Sequence, residues 1–251
     1  MIKKGNQAEE VLVMIKIQNI RKSFQTLDGE KQALKNVSFE FEDGKCLLIG
    51  GENGSGKSLL MSIIAGLEDA DSGSIELNAK RVGLVFQEAE TQILGETPRE
   101  DIAFGPKNLG WKKVDVEAAV LNALEKTGLS PKADYPARFL SGGEKRRLAL
   151  ACMIAMDLPI IIMDEPYANL DYQGVKQVNG LIKQLKSEGK TIIILSHEIE
   201  KCLGLADRFI VLFRGEKVFD SDPQSALNED LEKWNIRNPM VTYKNLEDLI
   251  W

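Results

Sequence analysis

Eight residues, Gly51-Glu52-Asn53-Gly54-Ser55-Gly56-Lys57-Ser58, fit the pattern GxxxxGK[ST]. The run follows an apolar stretch, Cys46 to Ile49, and precedes a helical pattern, which is the context a phosphate-binding loop requires. Glycines at these positions let successive backbone N–H groups curl around β- and γ-phosphate oxygens, and the helix that follows offers the positive end of its dipole. Lys57 supplies a point charge, and the Ser58 hydroxyl is a candidate Mg²⁺ ligand.

Farther on, Ile160-Ile161-Ile162-Met163 is an apolar strand that delivers Asp164 and Glu165 at its C-terminal end, where ligands sit in open α/β sheets. Adjacent side chains leaving a strand point to different sides, so the two carboxylates can divide the work. Asp164 is the candidate to hold Mg²⁺ through water, and Glu165 to take a proton from an attacking water. A third device is Leu140-Ser141-Gly142-Gly143-Glu144, a Ser-Gly-Gly turn opening a helix, and thus a second phosphate-binding element. One chain cannot easily aim both at the same nucleotide.

With these strings the sequence resembles the ABC ATPase family, whose signature is LSGGQ. The resemblance runs from about Met14 to Asp220. It implies a head-to-tail dimer sandwiching two ATPs, each signature capping the γ-phosphate held by the opposite P-loop. On it, Gln87 is similar to the Q-loop glutamine that touches Mg²⁺ and the attacking water, and Asp171, in Ala168-Asn169-Leu170-Asp171, to the D-loop aspartate at the dimer interface. His197, the one histidine in the chain, matches the switch histidine that contacts the γ-phosphate. Phe24 resembles the aromatic residue that stacks on adenine.

Four positions depart from the family's pattern. Leu59 stands where Thr is usual, Glu144 where the signature has Gln, Tyr172 where Pro is common, and Phe24 lacks a tyrosine's hydroxyl. None removes a group needed for hydrolysis. Together they favour a non-identical partner subunit over an identical one, without deciding between them.

The stretch Phe86-Gln87-Glu88-Ala89-Glu90-Thr91-Gln92-Ile93-Leu94, with Glu100-Asp101-Ile102-Ala103-Phe104-Gly105-Pro106-Lys107-Asn108-Leu109-Gly110, is similar to the energy-coupling-factor branch. That resemblance implies an importer of vitamins or of cobalt or nickel. In it, two ATPase subunits drive a transmembrane coupling subunit and a separate small substrate-binding membrane protein. The transported substrate is not legible in this chain.

These groups need a scaffold, and the apolar runs supply it. Strands are expected at Met14 to Ile20, Val37 to Phe41, Cys46 to Ile49, Val82 to Phe86, Ile160 to Met163, Thr191 to Leu195 and Phe209 to Phe213. Several runs are continuous, as in strands covered on both faces. Helices are expected at Lys57 to Ala65, Asp115 to Thr127, Gly143 to Met156, Gln173 to Lys186 and Glu198 to Leu205. The fold class is therefore α/β, a P-loop NTPase with a central, largely parallel sheet. Strand signals vanish between Phe86 and Ile160, so a helical subdomain of about 91–156 is expected inside an ATP-binding domain of 14–220. A C-terminal extension, 221–251, is similar to the branch's dimer-holding tail.

Composition bounds the rest. The 251 residues, 43% hydrophobic and 28% charged, are ordinary for a globular protein, and a net charge of −6 argues against nucleic acid as a partner. ABC proteins of chromosome or repair type separate P-loop and signature by long coiled coils. Here about 80 residues intervene without sustained heptads. Translation-type ABC factors carry two cassettes and a basic linker, unlike this chain. No apolar run reaches the roughly 18 residues a bilayer span needs, and the first residues lack the apolar core of a signal peptide. The expected location is the cytoplasmic face of the membrane, peripherally. Cys46, Cys152 and Cys202 lack metal-ligand spacing and read as reduced core thiols.

Overall fold

The computed structural model describes residues 13–27 and 29–240. The first half of the chain runs β1 (Val13–Thr26), β2 (Gly29–Glu42), β3 (Cys46–Gly50), α1 (Lys57–Ile64), β4 (Ser72–Leu77), β5 (Val82–Val85), α2 (Pro98–Asn108) and α3 (Lys113–Lys126). It continues with α4 (Gly142–Ala155), β6 (Ile160–Asp164), α5 (Tyr172–Ser187), β7 (Thr191–Ser196), β8 (Arg208–Phe213), β9 (Glu216–Ser221) and α6 (Pro223–Ala226).

The continuous apolar strands β3, β6 and β7 are buried along their whole length because both faces are covered. Leu47, Ile49, Ile162, Ile193 and Leu195 pack with Leu60 of α1 and with Ile15, Ile17 and Phe39 of the first two strands. Their neighbours Leu48, Met163, Ile192 and Ile194 pack with Leu148, Tyr167 and Ile182 on the other side. Each such side chain contributes about 1.5–3 kcal/mol of burial, and the alternation fixes register, since a one-residue slip would exchange the two cores. The sheet order is β5-β6-β7-β3-β8-β9, parallel except for β8 against β9.

That register decides where chemistry can occur. Gly50 lies opposite Ser196 and Val211, and Asp164 opposite Leu195. The loop after β3, the acidic pair after β6 and His197 after β7 therefore leave the sheet side by side at its C-terminal edge.

Two strands placed by their apolar pattern in one largely parallel sheet belong instead to a separate one. β1 pairs antiparallel with both β2 and β4, in the order β2-β1-β4. Their alternating burial fits a sheet with one face on the core and one in water. β4 and β9 escape a hydrophobic reading because both are short, polar edge strands with no fully buried residue.

Between β5 and β6 the chain is helical. Thr97 caps α2 by accepting a hydrogen bond from Glu100 N, with Pro98 at the first turn. The helix expected over Glu198 to Leu205 is not formed. Two single 3₁₀ turns, Ile199–Lys201 and Leu203–Leu205, stand there, with Cys202 at φ −142° between them. Asn179 Nδ2 donates to Lys201 O at 2.8 Å, which removes a carbonyl that a continuing helix would use.

Among the described residues no helix is long and apolar enough to cross a membrane. Burial pushes the Cys46 thiol up to about 12, leaving it unreactive at neutral pH. The extension expected over 221–251 is described only to Met240, and 241–251 lie outside the described residues, as do 1–12.

Candidate active site

The loop after β3 holds its shape through two closely packed glycines with positive φ, Gly51 and Gly56. Gly51 has φ 150°, and a Cβ there would lie 2.2 Å from Leu212 O. Gly56, at φ 104°, caps α1 in a left-handed conformation, and a Cβ would press on the Leu34 side chain and on Ala33 O. No side chain caps α1, so its first N–H groups are left for a ligand. The Ser55 hydroxyl within the loop is buried and unpartnered. Lys57 is 5% exposed; its ammonium donates to Gly51 O at 2.7 Å and Glu52 O at 3.0 Å. Burial lowers the Lys57 pKa, while Glu165, Asp164 and Glu52 oppose that shift.

Beside it, Glu165 leaves β6 at φ 45° with its N–H on Leu195 O. That left-handed turn, costly for a glutamate, brings its carboxylate under the end of β7. Oε1 accepts from His197 N at 3.1 Å and lies 2.8 Å from His197 Nδ1; Oε2 accepts from the Ser196 hydroxyl at 3.1 Å. Lys57 Nζ stands 4.0 Å from Oε1. A carboxylate can only accept, so Nδ1 carries the proton toward it and Nε2 is directed to the exposed side of the ring.

Asp164 differs from its neighbour in having a buried Oδ1 without a partner. Burial raises its pKa, and a hydrogen bond from Ser58 is the largest influence holding it down. An orphaned carboxylate oxygen beside a serine hydroxyl at the head of a phosphate-type loop is the donor set a hard, oxygen-seeking cation such as Mg²⁺ prefers.

Gln87, at the exit of β5, is exposed. A residue the sequence reading passed over lies behind it. Arg146 of α4 is 5% exposed and donates to Phe86 O at 3.1 Å and Ala168 O at 3.5 Å, joining the segment before Gln87 to the loop before Asp171. The available signal was its spacing, since Arg146, Leu150 and Ile154 share one buried face of α4 at four-residue intervals.

The remaining candidates stand apart. Leu140 is buried, whereas Ser141 and Gly142 are exposed, and a Cβ on Gly142 would meet open space. Ser141 caps α4 and accepts from Glu144 N, while Glu144 Oε2 accepts from Ser141 N at 2.8 Å, a reciprocal capping box. Glu144 also pairs with Lys132 at 2.6 Å, and that contact holds its carboxyl below the usual range. Its charge is thus compensated within the chain. Asp171 caps α5 by accepting from Gly174 N at 2.7 Å. Phe24 is 43% exposed on β1, with the Lys22 ammonium 5.4 Å from its ring centroid. Leu59 is half-buried against the α1 side of the core, and Asn53 and Gly54 are exposed. Among the described residues, no hydrogen bond or ion pair joins Phe24, the 140–144 turn or Asp171 to the Lys57–Glu165–His197 cluster.

Comparison with known proteins bears on this geometry. A family model described as "ABC transporter" matches residues 34–168. The energy-coupling factor transporter ATP-binding protein EcfA2 of Clostridium acetobutylicum is 39% identical over 249 residues, covering 91% of this chain and 87% of that protein. Its counterpart in Thermotoga maritima is 39% identical over 219 residues, covering 83% and 80%. Among solved structures, cbiO1 from Clostridium perfringens, part of the ABC transporter complex cbiONQ, superposes with a TM-score of 0.78 at 30% identity, covering 90% of this chain and 96% of that one. The ATP-binding cassette MJ0796, solved as a dimer in a post-hydrolysis state with ADP and Pi, gives 0.76 at 26% identity, covering 84% and 99%.

Proposed function

This chain belongs to the ABC transporter ATP-binding family, and from that premise we propose that it hydrolyses ATP in a head-to-tail dimer that energises an importer of the energy-coupling-factor type. The observation that carries the chemistry is the meeting of buried Lys57 and Glu165 with the partly exposed His197, beside the unpaired Asp164 Oδ1. The likeness to EcfA2 proteins over most of the chain supports the branch.

In this reading the 51–59 loop, Gly51 through Leu59, cradles the phosphates, and the Lys57 ammonium turns from the carbonyls of Gly51 and Glu52 to the phosphate oxygens. Phe24 stacks on the adenine. Ser58, Gln87 and Asp164, the last through water, would hold Mg²⁺. Bound there, Mg²⁺ supplies neutralisation of the charge spread over the phosphate oxygens. Glu165 orients the attacking water and accepts its proton as the oxygen bonds to the γ-phosphorus and ADP leaves. His197, held by Glu165 through Nδ1, contacts the γ-phosphate. Leu140, Ser141, Gly142, Gly143 and Glu144 act on the nucleotide of the partner subunit, and Asp171 lies at the shared interface. Catalysis rests on positioning and charge, as phosphoryl transfer generally does.

The proposed partners are a second ATPase subunit, more in keeping with a non-identical one, a transmembrane coupling subunit, and a separate membrane substrate-binding subunit for a vitamin or for cobalt or nickel. The location follows as the cytoplasmic face of the membrane. Within an ATP-binding domain of 14–220, closure would be transmitted through Gln87 and the helical subdomain of about 91–156, and the 221–251 extension would help hold the dimer.

The test is co-expression with the coupling subunit and any second ATPase of the same organism, purification through a tag on this chain, and measurement of Mg-ATPase activity with subunit stoichiometry. Co-purification of a coupling subunit with activity that depends on Glu165 is the expected result. ATPase activity with no membrane partner would retain the hydrolase and remove the transporter.

A further inference from the structure

Beyond β9 the chain turns back along the molecule, and its anchors are apolar. Leu231 and Ile236 are fully buried and Trp234 is 9% exposed. Trp234 packs on Phe219 with ring centroids 5.7 Å apart, and Phe219 on Phe209 at 5.9 Å. Phe209 in turn closes over Gly50, where a Cβ would come within 2.7 Å of its ring. The tail is thus packed, through two aromatic rings, against the last residue of β3 before the phosphate-type loop.

A polar contact reaches the loop itself. Asn235, exposed between the buried Trp234 and Ile236, sits at φ 56°, a conformation asparagine tolerates better than most residues. Its Nδ2 donates to Glu52 Oε2 at 2.6 Å, across 183 positions of sequence. Glu52 is a carboxylate in a loop built for anions, and its own carbonyl accepts from the Lys57 ammonium. Unrestrained, that carboxylate is free to compete with phosphate for Lys57. Bonded to Asn235, it is kept on the tail side of the loop.

We propose that Asn235 is a positioning residue for the nucleotide site, holding the Glu52 carboxylate on the C-terminal tail and so setting the loop's affinity for nucleoside triphosphate. The inference rests on the nucleotide-binding reading above and extends it. It makes the tail a determinant of ATP affinity in the same subunit, separate from any part in holding a dimer together. The contact should act on binding rather than on chemistry, because neither residue touches Glu165, His197 or Asp164.

The experiment uses the full chain, assembled with its partner subunits, and reads KM for MgATP and kcat together. Asn235→Gly keeps the left-handed backbone and removes the amide, and it should raise KM about three- to tenfold, the scale of one solvent-exposed hydrogen bond, with kcat within about twofold. Asn235→Asp tolerates the same backbone and adds a like charge opposite Glu52, so its KM should rise further; it also serves if the glycine variant folds poorly. In a Glu52→Gln background, where no charge is left to restrain, Asn235→Gly should change KM by less than about twofold, the mark of direct coupling between contacting residues. An unchanged KM in Asn235→Gly, or the same rise in the parent and in the Glu52→Gln background, would overturn the inference while leaving the ATPase reading intact. No MgATP binding by the unaltered complex would remove both.

Discussion

His197 Nδ1 lies 2.8 Å from Glu165 Oε1, and the backbone N–H of His197 donates to the same oxygen at 3.1 Å. Two donors from one residue hold a carboxylate that left β6 through a left-handed turn at φ 45°. The arrangement fixes both side chains at once. Glu165 cannot rotate into a helical cap role, and the imidazole presents its other nitrogen outward. In the proposed mechanism this linkage makes the general base and the γ-phosphate contact one positioned unit.

Glu165→Gln should preserve the shape and remove the proton acceptor. ATPase activity is expected to fall by at least about a hundredfold, with ATP binding retained and a closed dimer persisting in ATP by size-exclusion chromatography. Hydrolysis at the parent rate would take the base role away from Glu165. His197→Ala should lower kcat by about 10²–10³, the scale of one donor lost from a charge-stabilising site, while ATP still binds.

The parts of this site that were legible in the sequence are those set by local chemistry. Gly51 to Ser58 is a loop whose glycines and lysine have few other uses together, and Ile160 to Glu165 is an apolar strand ending in charge. The pairing of Glu165 with His197 was not legible, because it depends on β6 and β7 being neighbours in register, a long-range fact. Arg146 was passed over because a basic residue in Lys145-Arg146-Arg147 reads as a solvated helix face until the helix is docked. β1 and β2 had the right strand character but the wrong sheet, since alternation tells that one face is wet and not which strand lies beside it. The expected helix after His197 shows the converse error: apolar spacing at Ile199, Cys202 and Leu203 has helical period, but Asn179 takes the Lys201 carbonyl.

Gly51→Ala tests how closely the loop backbone is packed. Its Cβ would overlap Leu212 O at 2.2 Å and crowd the Ser55 hydroxyl at 2.7 Å, at a φ of 150° that side chains avoid. The loop must shift, and binding of a fluorescent ATP analogue should be lost. Gly54→Ala is the matched contrast. Its φ is 80°, yet nothing lies within 4 Å of the added carbon, so its cost should be limited to left-handed strain of about 1–2 kcal/mol. Equal binding by the two variants would mean that the loop is not held as described.

Arg146→Ala should destabilise the fold by about 2–3 kcal/mol in urea unfolding, by leaving Phe86 O and Ala168 O without a buried charged donor. Arg146→Lys should recover only part of this, because an ammonium cannot reproduce a guanidinium fork that spans two carbonyls. A fully stable lysine variant would show that charge alone, near Asp164 and Glu165, is what the site needs from this position.

Glu144 yields a prediction about pH. Lys132 and the Ser141 cap hold its folded pKa below the usual carboxylate range, so the folded state favours its charged form. The associated stability is present above the ordinary glutamate pKa and is lost as pH falls through the lower folded value. Glu144→Gln keeps an oxygen that can accept from Ser141 N but gives up the ion pair, in which the Lys132 side chain is 40% exposed. With solvent screening of that pair, the variant should be less stable at pH 7 by about 0.5–1 kcal/mol, and the gap should close below the folded pKa. Lys132→Ala separates stability from function. It leaves the Glu144 charge uncompensated beside the Ser141–Gly143 turn, so ATP-dependent dimerisation should weaken more in Lys132→Ala than in the double variant Lys132→Ala/Glu144→Gln. Equal dimerisation in the two would mean that the Glu144 carboxylate lies too far from the partner's nucleotide for its charge to matter.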